Sequence, residues 1–191
     1  ILVGTQMLTK GLDFDHVGLV GVMQADRLLN FPDFRAHENS YQLLTQVAGR
    51  SGRAIERGKV LIQTYNPYHQ ILQQVSRYDY KEMYKEQLEE RYQFKYPPFY
   101  KIIKFTFKHK DQNRVQSGAN WYADSLKSAF GELVLGPSTP AVARVKNLYI
   151  KHLILKIPKT NSMKATKNHI QKVNNHFEGI ADFRSIRFTC D

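Results

Sequence analysis

The stretch YPPFYKIIKFTFKHK, Tyr96 to Lys110, divides the chain. Its two prolines fix φ, remove two backbone donors and bias the preceding residue toward extended backbone. A helix running into Pro97 ends there, so a domain boundary falls at the Pro-Pro pair. Beyond it the pattern changes. Tyr100–Lys108 alternates as YKIIKFTFK, the mark of a strand with one face buried.

Downstream, Asn113–Phe130 predicts a helix with Val115, Ala119, Tyr122, Leu126 and Ala129 near one face. Gly136-Pro137 reads as a turn. Ala141–Val145 and Tyr149–Ile157 read as a hairpin around Lys146-Asn147-Leu148. Asn161–Phe177 is a lysine-rich helix, and Phe183–Thr189 alternates again. The order βαββαβ predicts an α+β ferredoxin-like domain over residues 99–191. Phe105, Phe107 and Trp121 are expected in its core, since large aromatics dominate cores.

Upstream, residues 79–94 form a charged helix with Met83 and Leu88 on its packing face, and 79–98 read as a connecting segment. Residues 1–78 alternate short apolar strands (Ile1–Val3, Val17–Met23, Val60–Thr64) with helices (Ser40–Ala48, capped by Ser40, and one near Tyr68–Arg77 opened by Pro67). That alternation predicts α/β structure with a parallel sheet. The strands are too few for a complete doubly wound domain. Ile1–Val3 therefore reads as a buried strand of a longer chain, with no secretory leader.

Charge is uneven. The net charge is +11. Residues 1–98 hold 12 Lys and Arg against 11 Asp and Glu, whereas residues 99–191 hold 16 against 6. No acid occurs from Leu133 to Phe177, where eight bases do. A basic surface of this kind points to a polyanionic partner, with Arg144, Lys146, Lys151 and Lys156 as phosphate contacts and Tyr149 as a stacking ring. A merely soluble basic surface is the plain alternative. The single cysteine, Cys190, excludes an internal disulfide and any Cys-rich zinc site in this chain, and fits a reducing cytoplasm. No run of 18 apolar residues suggests a membrane span.

The segment QVAGRSGRA, Gln46 to Ala54, holds the strongest candidate chemistry. In helical phase Gln42, Gln46, Gly49, Arg50 and Arg53 fall on one face, and Leu43, Leu44, Val47 and Ala48 on another. A forked guanidinium suits phosphate, so Arg50 and Arg53 are candidates to grip one. From the nonamer alone a solvated basic stripe also stands.

QVAGRSGR resembles motif VI of superfamily-two helicases, and GTQMLTKGLDF (Gly4–Phe14) resembles their motif V. More narrowly, these segments resemble the PriA family of bacterial replication-restart helicases. So do DFRAHENSYQLLTQVAGRSGR (Asp33–Arg53), YPPF and GPSTPAVARVKNLYIKHLILK (Gly136–Lys156). The resemblance implies a bacterial, cytoplasmic fragment: the closing part of a second RecA-like motor lobe, then the family's C-terminal DNA-binding domain. It implies Arg53 as arginine finger, Arg50 on phosphate or the lobe interface, and Gln46 positioning water or the γ-phosphate. It implies that Gly11 and Asp13 couple nucleotide to DNA, although loop capping explains Asp13 equally well. Thr5, Gln6 and Lys10 would lie near the DNA backbone.

For the parent protein it implies a 3′-5′ ATP-dependent helicase using ATP, Mg²⁺ and structural zinc. The implied partners are DNA, single-stranded DNA-binding protein and primosome proteins. The phosphate loop such a motor needs is absent here. GRAIERGK (Gly52–Lys59) fails on glycine spacing, on Val60, and on preceding a strand. The chain alone is therefore expected to bind DNA and not to hydrolyse ATP. The competing reading is an interaction module whose basic face docks an acidic tail, such as that of single-stranded DNA-binding protein.

Overall fold

The structure, a computed structural model, describes residues 1–4, 17–49 and 58–191. It divides into two compact units, residues 1–91 and 92–191. The motif residues Thr5, Gln6, Lys10, Gly11, Asp13, Arg50 and Arg53 lie outside the described residues.

In the first unit β1 (Leu19–Val22) and β2 (Lys59–Ile62) pair in parallel, Leu19 opposite Lys59 and Val22 opposite Ile62. Both strands alternate exposed and half-buried positions, where burial on both faces was expected. The cause is that the apolar cluster covers one face, with Val22 and Ile62 packed against it. Ile1–Val3 is a second departure: these residues are exposed and form no strand, and no described strand pairs with them.

Four helices supply the cluster: α1 (Asp26–Leu29), α2 (Ala36–Ala48), α3 (Gln70–Arg77) and α4 (Tyr80–Gln93). Leu29, Tyr41, Leu44, Ile71, Leu72, Val75 and Met83 meet in it. Helix α2 starts four residues before the expected cap. Ser40 is buried inside it, and its hydroxyl donates back to the Ala36 carbonyl at 2.6 Å, an arrangement that satisfies a helical serine without a cap. Helix α4, expected as a connector, belongs to the first unit up to its last turn, because Met83 is 2% exposed in that core. The strand exits are tied together by Asp26, whose carboxylate accepts from the Thr64 hydroxyl at 2.8 Å and the Tyr65 amide at 3.1 Å. The Thr64 bond is the main cause holding that carboxyl below its ordinary range.

The second unit runs β3 (Tyr100–His109), α5 (Gln112–Phe130), β4 (Val134–Ser138), β5 (Arg144–Val145), β6 (Leu148–Pro158), α6 (Met163–Gly179) and β7 (Arg187–Cys190). Its antiparallel sheet has the order β4-β6-β3-β7, with β5 paired to the start of β6. Gly136-Pro137 is not a turn but an irregularity inside β4, between the Leu135 and Ser138 pairings. Gly136 has φ +106°, and a Cβ there would stand 2.9 Å from the His152 carbonyl oxygen, so only glycine fits this close approach. Lys146 and Asn147 have φ of 47° and 61°, the two left-handed positions of a two-residue hairpin turn.

Strand alternation sends Phe105, Phe107, Leu153, Leu155 and Ile157 to the helix side. There they meet Val115, Ala119, Tyr122 and Leu126 of α5 and Ile170, Val173 and Phe177 of α6. Ala129, expected on the α5 core face, is exposed in the last turn, and Ala123 is buried instead. The Tyr122 ring lies 5.2 Å from both Phe105 and Phe107, and its hydroxyl donates to the Asn174 side chain. Burial pushes that phenol well above its ordinary value.

Two outcomes follow from this packing. Phe107→Ala should destabilise the second unit by about 3–5 kcal/mol in a urea titration, since Phe107 is fully buried. His69 caps α3 by accepting the Ile71 amide at 3.2 Å on Nδ1, and burial, then the His37 charge, lowers its pKa below 6.5. The folded state therefore binds fewer protons, so this stability is present above pH 6.5 and lost as pH falls through the lowered value. Thermal melts from about pH 7.5 to about pH 5.5 should fall less steeply in His69→Asn, which keeps a capping acceptor but does not titrate.

Candidate nucleic-acid interface

Of the three motif VI candidates, Gln46, Arg50 and Arg53, only Gln46 lies among the described residues. It is exposed on α2, one turn beyond exposed Gln42, while Tyr41, Leu44 and Val47 on the other face are buried. The helix ends at Gly49, exposed, just before Arg50. Among the described residues no three His, Cys, Asp or Glu side chains are gathered to hold a metal.

In the second unit the left-handed Lys146-Asn147 turn brings Arg144 opposite Tyr149. The Arg144 guanidinium carbon stands 4.8 Å from the centre of the Tyr149 ring. That contact orients a cation over an aromatic face while leaving Arg144 exposed. Lys146 is exposed at the tip. Lys151, two residues past Tyr149 on the same side of β6, donates to the Thr139 hydroxyl at 2.8 Å. These four residues form one hairpin surface.

Lys156 does not belong to it. Five residues beyond Lys151, it lies about 17 Å further along the strand. It is 7% exposed, donates to the Phe94 carbonyl at 2.6 Å and sits 3.7 Å from the centre of the Tyr96 ring. Burial first, and the charge of Lys95 second, pull its pKa down. The expectation of a phosphate contact at Lys156 is corrected. Its ammonium is spent inside the unit, where the backbone carbonyl and the ring replace water around it.

Sequence reasoning also missed a group of cations. Both helices cover one face of the sheet, and strand alternation leaves Lys104, Lys108, His152 and Arg187 on the other. Lys108 pairs with Arg187 in register, and Thr106 lies between His152 and Thr189. His152 has its pKa lowered first by burial and then by the charges of Lys104 and Lys108. The signal was in the sequence: Lys104 and Lys108 occupy the polar positions of the alternating strand that divides the chain. Their grouping depends on β7, which brings Arg187 opposite Lys108.

The family profile described as the primosomal protein N C-terminal domain matches residues 92–191. The chain belongs to the PriA family. Among its relatives is a "Replication restart protein PriA" of Bacillus subtilis, 37% identical over 193 residues, which span 100% of this chain and 24% of that protein. Proteins of the same name in Synechocystis and Treponema pallidum are 40% and 39% identical, each over 83% of this chain. The matched region covers 19% of the Synechocystis protein and 24% of the Treponema one, so the chain spans about a quarter or less of these PriA relatives' length. The family profile coincides with the second unit, Tyr92–Asp191, and so contains both the hairpin and the helix-free face of the sheet.

If the hairpin holds phosphate, Arg144→Gln should lower the steepness of the salt dependence of DNA binding by about 0.7 on a log–log plot, the share of one single-strand phosphate. Lys156→Met should leave that slope unchanged while keeping the melting temperature close to that of the unsubstituted chain. Fluorescence anisotropy and thermal melts check both.

Proposed function

We propose that this chain is the part of a PriA-type replication-restart helicase that completes a motor lobe and grips DNA. Membership of the PriA family supports the restart role. The parallel β1–β2 pair with its helices supports a fragment of a RecA-like lobe. The element order and the strand order β4-β6-β3-β7 support a ferredoxin-like second unit. The observation that carries DNA binding is the hairpin surface, where Arg144, held over Tyr149, stands with Lys146 and Lys151 in a stretch without acids.

Binding of this kind reads charge and stacking, not base sequence. In the parent protein Arg53 acts as arginine finger, Arg50 holds phosphate or the lobe interface, and Gln46 orients water or the γ-phosphate. Gly11 and Asp13 link that site to a DNA track near Thr5, Gln6 and Lys10. The exposure of Gln46, set by the burial of Leu44 and Val47, favours this reading. ATP, Mg²⁺, zinc and 3′-5′ translocation belong to the parent protein.

The acid-free run also favours an acidic protein tail, such as that of single-stranded DNA-binding protein, as a second partner of the same cations. A tail peptide displaces DNA only where the two sites overlap.

Two measurements test the proposal. DNA affinity should fall about tenfold or more between about 50 and about 200 mM salt, and binding that ignores salt would sink the phosphate reading. The chain alone, given ATP, Mg²⁺ and single-stranded DNA, should release no phosphate above an Arg53→Ala control. DNA-stimulated release would overturn the incomplete-site reading.

A further inference from the structure

We propose that the helix-free face of the second unit's sheet is a second binding surface, one that takes the phosphate backbone of a nucleic-acid single strand along β3 and β7. It rests on the DNA reading above only for the nature of the polymer, and its residues are separate from the hairpin.

Strand register assembles the face. β3 contributes Ile102, Lys104, Thr106 and Lys108; β6 contributes Ile150, His152, Ile154 and the buried Lys156; β7 contributes Arg187 and Thr189. Lys104 and Arg187 are exposed, and Lys108 and His152 are half-buried. Among the described residues no carboxylate pairs with Lys104, Lys108 or Arg187. The one acid that register brings to these strands is Asp191, bonded to Lys104 through backbone at 2.8 and 2.9 Å.

Two features point to an anion. Lys108 and Arg187 are direct cross-strand partners, and like charges placed opposite each other destabilise a sheet. Lys104 and Lys108 also both act on His152. An exposed face that keeps three cations and a histidine together against a single acid in register, Asp191 opposite Lys104, is relieved by a bound polyanion. Lys104 and Lys108 are four residues apart on one strand, about 13 Å, so the anion must extend along the strand. A single phosphate cannot reach both.

Dimensions choose between forms of nucleic acid. The outer strands of the order β4-β6-β3-β7 stand about 14 Å apart before side chains are added. The B-DNA major groove, about 12 Å wide, admits a helix or a two-stranded ribbon and not this sheet. A single strand can lie along the face, its phosphates on Lys104, Lys108 and Arg187 and on the exposed Thr189 between them. Among the described residues the one ring that register places between Lys104 and Lys108 is that of His152, so contacts fall on the backbone and carry no base preference. The hairpin cations are directed otherwise, since Tyr149 and Lys151 alternate with Ile150 and His152 on β6.

The test uses the full chain and a labelled oligothymidylate of about 20 nucleotides. Three triple variants are compared: K104Q/K108Q/R187Q on the face, R144Q/K146Q/K151Q on the hairpin, and K164Q/K167Q/K172Q on exposed positions of α6. Far-UV circular dichroism verifies that each is folded. The face variant should lose about tenfold or more in affinity near about 0.1 M salt and about two units of salt slope, and the α6 variant should lose much less. In NMR titrations the oligonucleotide should raise the His152 midpoint in both the unsubstituted chain and the hairpin variant. A face variant that binds like the unsubstituted chain, or a His152 midpoint that does not move, overturns the proposal while leaving hairpin binding standing. A chain that binds no oligonucleotide even at low salt overturns both readings. If the face substitutions abolish binding of an Asp/Glu-rich peptide and spare the oligonucleotide, the surface belongs to an acidic protein and the proposal falls.

Discussion

The pairing of β3 with β6 is the constraint on which the second unit depends. It runs without interruption from Tyr100 opposite Pro158 to His109 opposite Tyr149. A strand pair of that length has its two faces set once its register is set, because a slip of one residue would turn every side chain over. Register is set by burial. Phe105 and Phe107 must lie beneath Tyr122 and Phe177, and Leu153, Leu155 and Ile157 must follow on the neighbouring strand.

What the aromatic core takes on one face, electrostatics receives on the other. With both helices on the Phe105 side, the lysines between the core residues are held outward on a rigid sheet and not on mobile loops. The β4 irregularity at Gly136 and the left-handed turn at Lys146 then decide how the edge of β6 is used, with β4 along its middle and the β5 hairpin at its start. The unit so presents cations in two places: on a hairpin that orients Arg144 by a ring, and on an open sheet face. Both belong to the segment that marks the chain as a PriA relative.

The first unit carries a different burden. Val22 and Ile62 of its small parallel sheet pack against an apolar cluster drawn from α1, α2, α3 and α4, and its strand ends are joined through Asp26 and Thr64. Helix α2 is anchored by Tyr41, Leu44 and Val47, and this leaves Gln46 and the Gly49 terminus outward, where the arginine motif begins. Helix α4 is held by Met83 and by the ion pair of Arg91 with Glu38, so the chain leaves this unit through a helix already packed.

Periodicity and proline chemistry are local properties, and they were legible in the chain. The alternation of β3, the helix that follows it, the burial of Phe105 and Phe107, the phase of Gln46 on its helix and the family all came from residues near one another in sequence. What failed required a partner from elsewhere. Ile1–Val3 has an apolar pattern, but a strand needs a neighbour. Ser40 is a good cap in isolation, yet α2 extends past it because its Ala36 side is buried. Lys156 is a surface base in any linear reading, and only the fold brings the Phe94 carbonyl and the Tyr96 ring around its ammonium. Lys104 and Lys108 are separated from Arg187 by about 80 residues of chain, and strand pairing alone makes them one surface. The sequence by itself thus determined which residues alternate, where helices stop and what family the chain resembles. The tertiary structure decided which cations are buried, which are exposed and which stand together, because burial and charge proximity depend on distances in space that sequence spacing does not contain.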